Sequence, residues 1–107
     1  MVRELYIVEN RIVVTYQPEG WPAGVLTGFV NAAGGFVLEH VISLNPTMLI
    51  PMLTAAIEEA TNRHYRYIRF GIPRDFPIFK KLEMLALRLN FKFRDADSFQ
   101  NWYMREL

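Results

Sequence analysis

Apolar and polar residues follow two different periods along the chain, and the first 44 residues show the shorter one. Runs rich in β-branched and aromatic residues are separated by short spacers that contain Gly, Pro or Asn, which is typical of strands and turns. Short spacers imply antiparallel neighbours. The strands expected here are Leu5–Val8, Ile12–Tyr16, Val25–Asn31 and Phe36–Leu44.

The pattern becomes helical from Thr47 to about His64, where Leu53, Ile57, Ala60 and His64 recur on one helical face. A second helix is expected from Phe76 or Pro77 to Leu89. The remaining expected strands are Tyr65–Phe70, ended by Gly71 and Pro73, then Phe91–Arg94 and Phe99–Met104. The order ββββ-α-β-α-ββ predicts a single α+β domain over residues 1–107, with a mostly antiparallel twisted sheet and two main helices.

Composition narrows the class of protein. A chain of 107 residues, 51% apolar and with a formal net charge of +1, forms one folded domain rather than a disordered segment. The absence of Cys excludes a disulfide scaffold and a cysteine nucleophile. The apolar stretch from Val25 to Leu44 is interrupted by polar residues, so no membrane span is expected. No secretion signal is evident, and the cytoplasm is the expected compartment.

Charge is divided unevenly along the chain. Residues 1–60 carry two basic and six acidic side chains, a net of −4, whereas residues 61–107 carry ten basic and five acidic ones, a net of +5. Such an imbalance can mark where an anionic ligand or partner binds.

Several segments in the second half match one known family in order and spacing. They are the strand and turn Gly35–Pro46, the helix Met52–Ala60, the strand Tyr67–Ile72, the helix from Phe79 that ends in the corner Leu89-Asn90-Phe91-Lys92, and the strand around Trp102-Tyr103-Met104. In these features the chain resembles the GNAT superfamily of acyl-CoA-dependent N-acetyltransferases, over about residues 35–107.

The resemblance implies a GNAT-like fold, acetyl-CoA as cofactor and transfer of its acyl group to an amine. Glu39, on the fourth strand, would act as general base, and the backbone of that strand would hold the thioester carbonyl. The cofactor would lie where the strand leads into the helix. The residues assigned to cofactor binding are Leu44, Asn45, Thr47 and Met48.

The chain departs from the family in three places, which mark it as a divergent member. The stretch from Thr47 to Pro51 has neither the glycines nor the basic residue of the usual phosphate loop, and Pro51 lacks an N–H donor. The position of the usual tyrosine acid is Ala86, with Tyr65, Tyr67 or Tyr103 as substitutes. The paired helices near the family's N-terminus have no counterpart, so an N-terminally minimal member is expected.

Each candidate residue also has a simpler interpretation. Glu39 is equally a solvated side chain on a strand, and strict alternation puts His40 on the opposite face, where a structural role is expected. Metal ligation by Glu39 with His40 or His64 has no recognised spacing, and neither has a triad of Ser43 and His40 with an acid. No metal site is predicted.

The basic segment 63–94 offers a nucleic-acid surface only if its charges share one face. Alternation assigns Tyr65, Tyr67 and Arg69 to one side and Arg66, Ile68 and Phe70 to the other, so nucleic-acid binding is not expected. The other arginines of interest are Arg63 and Arg74. Trp21, on the loop between two strands, is either a recognition residue or a lid over the core.

The second helix carries Met84 and Leu87 outside its core face. Either a homodimer or another protein covers this side, or Met84 packs under the C-terminal strands. Two functions stay open. One is an N-acetyltransferase whose amine acceptor, a small molecule or a protein, is not indicated. The alternative is a non-catalytic GNAT-fold module for binding or assembly, such as a phage-type or regulatory small protein.

Overall fold

A computed structural model describes residues 2–8, 11–17, 24–43 and 49–107 of the chain. It contains seven strands and two helices in the predicted order ββββ-α-β-α-ββ. They are β1 (Val2–Val8), β2 (Arg11–Gln17), β3 (Gly24–Val30), β4 (Phe36–Ser43), α1 (Leu49–Asn62), β5 (Tyr67–Pro73), α2 (Phe79–Arg88), β6 (Lys92–Ala96) and β7 (Gln100–Glu106).

All seven strands form one sheet in the order β1-β2-β3-β4-β5-β7-β6. Strands β1 to β4 pair antiparallel through short connections, and so do β5, β7 and β6. The pair β4–β5 is parallel, because α1 returns the chain to the end of the sheet at which β4 begins. The expectation of a mostly antiparallel α+β sheet is confirmed.

Both helices pack on the same face of the sheet. The α1 residue Met52 lies so close to Gly24 of β3 that a Cβ at Gly24 would overlap its side chain. On the same face, α2 is joined to β7 by the hydrogen bond from the Tyr103 hydroxyl to the Glu83 carboxylate. The buried core lies between these layers and consists of Leu26, Phe36, Leu38, Met52, Leu53, Ala56, Ile57, Ala60, Ile68, Ile72, Ala86, Phe91 and Tyr103.

Helix α1 ends earlier than its apolar spacing predicts. His64 has φ 60°, a left-handed conformation, and the N–H of Tyr65 donates to the Ala60 carbonyl at 3.0 Å to close the helix. The prediction that His64 lies on the core face of α1 is therefore wrong, because the helix ends at Asn62 and His64 is exposed.

Helix α2 ends in the same way at Asn90, which has φ 67°. The N–H of Phe91 donates to the Ala86 carbonyl at 2.9 Å, and the turn delivers the Phe91 ring into the core. Asn is the residue that tolerates this conformation best after Gly. Asn90 thus takes a left-handed geometry that glycine usually occupies at the end of a helix.

Further boundaries differ from expectation, among them that of β6, which runs from Lys92 to Ala96 instead of Phe91 to Arg94, and that of β7, which ends at Glu106 instead of Met104. Strand β5 begins at Tyr67 and continues through Gly71 to Pro73, since all its residues pair with β7. Helix α2 begins at Phe79 rather than at Phe76 or Pro77, because residues 74–78 form turns between β5 and the helix.

Candidate active site

Strand β4 carries one more residue than the stretch of β3 that it faces. Thr27 pairs with His40, and the next residue, Gly28, pairs with Leu38, so Glu39 is the extra residue of a β-bulge. Leu38 is buried, whereas Glu39 and His40 are both exposed. The bulge therefore places the predicted base at a local irregularity of the sheet, with its side chain in contact with solvent.

The bulge also changes which β4 residues share a face. Before it, Phe36 and Leu38 belong to the helix-covered face; after it, Val41 pairs with Leu26 of that face. Strict alternation therefore fails at Glu39. The His40 Nδ1 atom lies 3.0 Å from the Thr27 hydroxyl oxygen, within hydrogen-bonding distance.

Strands β4 and β5 stop pairing just before the bulge at Glu39. They pair only as Phe36 with Ile68 and Val37 with Arg69, and the remainder of β4 within the described chain runs on without a β5 partner. The lack of pairing leaves a gap, here called the cleft, between the carboxyl ends of two parallel strands, which is the usual position of ligand sites in sheets with parallel strands. Glu39 follows Val37, the last residue of β4 that pairs with β5, by two positions.

Helix α1 follows β4 in the chain and begins at Leu49. Its first turn contains no acidic residue, and the N–H groups of Leu49 and Ile50 have no acceptor within the helix, whereas Pro51 has no N–H to offer. The residues predicted to bind cofactor, Leu44, Asn45, Thr47 and Met48, lie outside the described residues. The N–H groups described at the start of α1 can donate hydrogen bonds to an anion. They are fewer than the donors that a glycine-rich phosphate loop supplies.

Tyr103 is committed to a structural contact. Its side chain is fully buried and its hydroxyl donates to the Glu83 carboxylate on α2. Burial raises the pKa of the Tyr103 phenol, and the bond to Glu83 raises it further. No local sequence pattern indicates this pair, because Glu83 occupies an ordinary polar position on the helix.

The other two candidate tyrosines are also engaged. The Tyr67 hydroxyl accepts a hydrogen bond from Asn31 Nδ2 at 2.7 Å, on the face of the sheet without helices. The Tyr65 ring packs against Phe36 with centroids 5.8 Å apart. Ala86, at the position of the family's tyrosine, is buried in the core.

The arginines of the basic segment are held by neighbours rather than gathered on one surface. Arg69 donates to Asp95 at 3.1 Å and lies over the Trp102 ring at 4.7 Å. Arg74 donates to Asn101 and to the Asp97 carbonyl, and Arg63 pairs with Glu59 at 3.4 Å. The predicted split of Tyr67 and Arg69 from Ile68 and Phe70 is confirmed. The prediction that Tyr65 shares the face of Tyr67 is wrong, because Tyr65 precedes β5 and packs against the core. Trp21 lies outside the described residues.

Helix α2 exposes the two apolar residues that the sequence singled out. Met84 is 62% exposed and Leu87 is 51% exposed. The alternative in which Met84 packs under the C-terminal strands is therefore wrong, because α2 turns that side away from the sheet. Among the described residues, no three potential ligands cluster for a metal, and neither helix is long and apolar enough to cross a bilayer.

Comparison with solved structures decides what architecture these elements form. An IAA acetyltransferase from Bacillus cereus superposes with a TM-score of 0.78 over 94% of this chain and 81% of its own, at 13% identity. The chain has the GNAT fold. A Bacillus subtilis acetyltransferase in complex with CoA matches with a TM-score of 0.78 over 94% of this chain and 79% of its own, at 14% identity.

A third structure with the GNAT fold extends the likeness. A GNAT family acetyltransferase from Elizabethkingia anophelis with acetyl-CoA bound matches with a TM-score of 0.79 over 94% of this chain and 79% of its own, at 10% identity. No protein-family model and no curated protein sequence matches the chain. The similarity thus lies in the backbone and establishes the GNAT fold. The roles of the site residues are argued only from their geometry in this chain.

Proposed function

We propose that this protein transfers an acyl group from acyl-CoA to an amine in the cleft between β4 and β5, with Glu39 as general base. The observation that supports this most is the bulge that exposes Glu39 where β4 leaves β5. Solved proteins of the same fold bind CoA or acetyl-CoA, as their structures record.

The cleft offers two sets of backbone groups to an acyl-CoA. The first turn of α1 presents N–H donors and the positive end of the helix dipole, with no carboxylate to repel phosphate. The edge of β4 beyond Val37 is not paired with β5, so this edge lies where an extended amide chain could form backbone hydrogen bonds with it. Acyl-CoA bound there supplies an acyl group activated as a thioester.

The β4 backbone and Glu39 divide the work of the reaction. A β4 N–H directed into the cleft would hold the acyl carbonyl oxygen and favour negative charge on it. The Glu39 carboxylate takes a proton from the amine nitrogen, directly or through one water, so that the nitrogen lone pair can attack. A C–N bond forms and the C–S bond breaks, so that CoA leaves as a thiolate, which takes up the second proton that the nitrogen loses. We assign no acid to the departing sulfur, because Tyr103 donates to Glu83 and Tyr67 is bonded to Asn31.

Titration with acetyl-CoA tests the proposal first. Isothermal titration calorimetry is expected to show saturable heat, and acetyl-CoA is expected to raise the melting temperature. No heat and no thermal shift at millimolar acetyl-CoA would overturn the proposal and leave a GNAT-fold module without catalysis.

The Glu39→Gln variant tests the role of the base. Because the chain contains no Cys, a thiol reagent reads released CoA without background from the protein. With a panel of primary amines as acceptors, Glu39→Gln is expected to lose roughly a hundredfold or more in turnover and to bind acetyl-CoA as the wild type does. The matched control is Glu58→Gln, an exposed position on α1, which is expected to leave turnover unchanged. Equal turnover in both variants would remove Glu39 from the mechanism.

The acceptor class, a small-molecule or protein amine, stays a prediction, and so does the cytoplasm as compartment. Cover of Met84 and Leu87 by a second copy or another protein is likewise untested. The face of the sheet opposite the helices is a second candidate surface for such a partner.

A further inference from the structure

The face of the sheet opposite α1 and α2 is free of helices in the described structure. Register and burial define this open face, because residues that pair across strands project to the same side. Its described members include Val25, paired with Thr15 and Ile42, and Met104, paired with Arg69 and Lys92. Neither α1 nor α2 contributes a core contact to it, since the buried cluster lies on the other side.

The open face is mainly apolar. Ile42 is 61% exposed, and its other apolar members are half-buried by their neighbours. These members, from the β2 side to the β7 side, are Val13, Val25, Phe29, Val37, Tyr67, Trp102 and Met104. Contiguous apolar surface of this kind on a soluble domain marks an interaction site.

The strand sequences agree with cover on both sides. Val25-Leu26 in β3 and Phe36-Val37-Leu38 in β4 are apolar on consecutive positions, so each contributes to both faces. An antiparallel sheet with one wet face reads as apolar and polar in alternation, whereas continuous apolar runs are typical of strands covered twice. The central strands of this sheet thus have the composition of a middle layer.

We infer that the open face packs against the same face of a second copy of this chain. The seven-stranded sheet measures about 34 Å across and about 23 Å along the strands, from spacings of ~4.8 Å and ~3.3 Å. Its outline of roughly 800 Å² equals what each partner contributes to a standard stable interface. Two such sheets pack face to face about 10 Å apart.

The charges of the open face suit an identical partner. Arg69 is paired with Asp95 and lies over Trp102, so the cation enters an interface with its charge compensated. At the rim of the face, the positive charge of Lys92 is balanced by the negative charge of Glu106. Glu39, which the bulge leaves next to His40 on this side of β4, adds one negative charge to the described face, and a two-fold arrangement brings no large patches of like charge together.

Light scattering coupled to size-exclusion chromatography tests the inference. The wild-type protein is expected at twice its chain mass of 12.5 kDa, with a dimer fraction that falls on dilution. Val37→Glu, on the central strand of the open face, is expected to weaken the dimer roughly a hundredfold, because it buries a new charge between the sheets. In the monomer this carboxylate can pair with Arg69, its register neighbour, so the fold is retained.

Leu87→Glu is the matched control, with the same added charge on the exposed side of α2, and it is expected to remain dimeric. A wild-type monomer at hundreds of micromolar would overturn the inference and point to a different partner. Dissociation by Leu87→Glu but not by Val37→Glu would overturn it in favour of α2.

Thiol labelling gives a second readout that does not depend on a disruptive change. Since the chain has no Cys, Thr27→Cys introduces a single thiol on the open face, and Glu58→Cys a single thiol on α1. Maleimide labelling of Thr27→Cys is expected to slow at least tenfold as the protein is concentrated into the dimer, while Glu58→Cys labels at a constant rate. Equal, concentration-independent rates at both positions would contradict the inference.

Discussion

The two faces of the sheet are built from neighbouring residues of the same strands and yet have opposite environments. Leu26 and Ile68, beneath the helices, are almost completely buried, whereas Val25 and Val37, next to them in sequence or register, keep contact with solvent. Residue type does not explain the difference, since all four are aliphatic. The side on which α1 and α2 dock decides which aliphatic residues stabilise the isolated chain.

The largest expected effect compares Ile68→Ala with Val37→Ala. Ile68 is 0% exposed in the centre of the core, so its truncation is expected to cost about 3 kcal/mol of unfolding free energy. Val37, half-buried on the open face, should cost about 1 kcal/mol in the monomer. Urea unfolding at low micromolar concentration measures both. Equal losses would show that the two faces contribute alike.

Tyr103→Phe sharpens the comparison from the helix side. The change leaves the half-buried Glu83 carboxylate without this donor and is expected to cost about 1–2 kcal/mol. Because the pKa of the Tyr103 phenol is raised above its usual 10.0, the bond stabilises the fold below that pH and is lost as the pH rises through the raised pKa. In an absorbance titration, the variant should lack the last phenol to ionise.

The control for that variant is Tyr65→Phe, whose ring packs on Phe36. It should unfold close to the wild type and keep the most alkaline titration step. A Tyr65 variant that loses this step, or a Tyr103 variant that keeps it, would contradict the assignment of the perturbed phenol.

The smallest expected effect comes from Asp97→Asn, beside the open face. The Asp97 carboxylate accepts hydrogen bonds from the N–H of Phe99, from Trp102 Nε1 and from the N–H of Gln100, and these lower its pKa from 3.8 to about 2. The contribution is therefore present above pH 4 and is lost as the pH falls towards 2. The variant should be slightly less stable at pH 6, by less than Tyr103→Phe.

Acid unfolding followed by circular dichroism checks this sign. The stability difference between wild type and Asp97→Asn should shrink from pH 4 to pH 2. A difference that widens over this range would mean that the carboxylate is not the stabilising form.

The order and type of the helices and strands could be predicted, because the spacing of apolar residues changes between the strand period and the helix period where the structure changes. The features that escaped prediction involve residues that break a local rule without a distinctive residue type. His64 and Asn90 end helices in a conformation usually marked by glycine, and nothing around Glu39 marks a bulge. Pairing of Glu83 with Tyr103 requires knowing how α2 lies on β7, which no local pattern contains.

The candidate site was predictable to the same limited depth. The resemblance points to Glu39, whose role as general base stays a prediction, whereas the separation of β4 from β5 depends on long-range pairing. The open face did leave a signal, in the apolar runs Val25-Leu26 and Phe36-Val37-Leu38. That signal indicates that both faces of the central strands are covered.

The parallel junction of β4 and β5 has a mechanical consequence. The sheet consists of a block of four strands, β1 to β4, and a block of three strands, β5, β7 and β6, and the strands within each block pair antiparallel. Between the blocks, strands β4 and β5 pair only as Phe36 with Ile68 and Val37 with Arg69. Within the sheet this short seam is the weakest connection between the blocks. The core under α1, which includes Leu26 of one block and Ile68 of the other, therefore carries most of the contact that keeps the two blocks together.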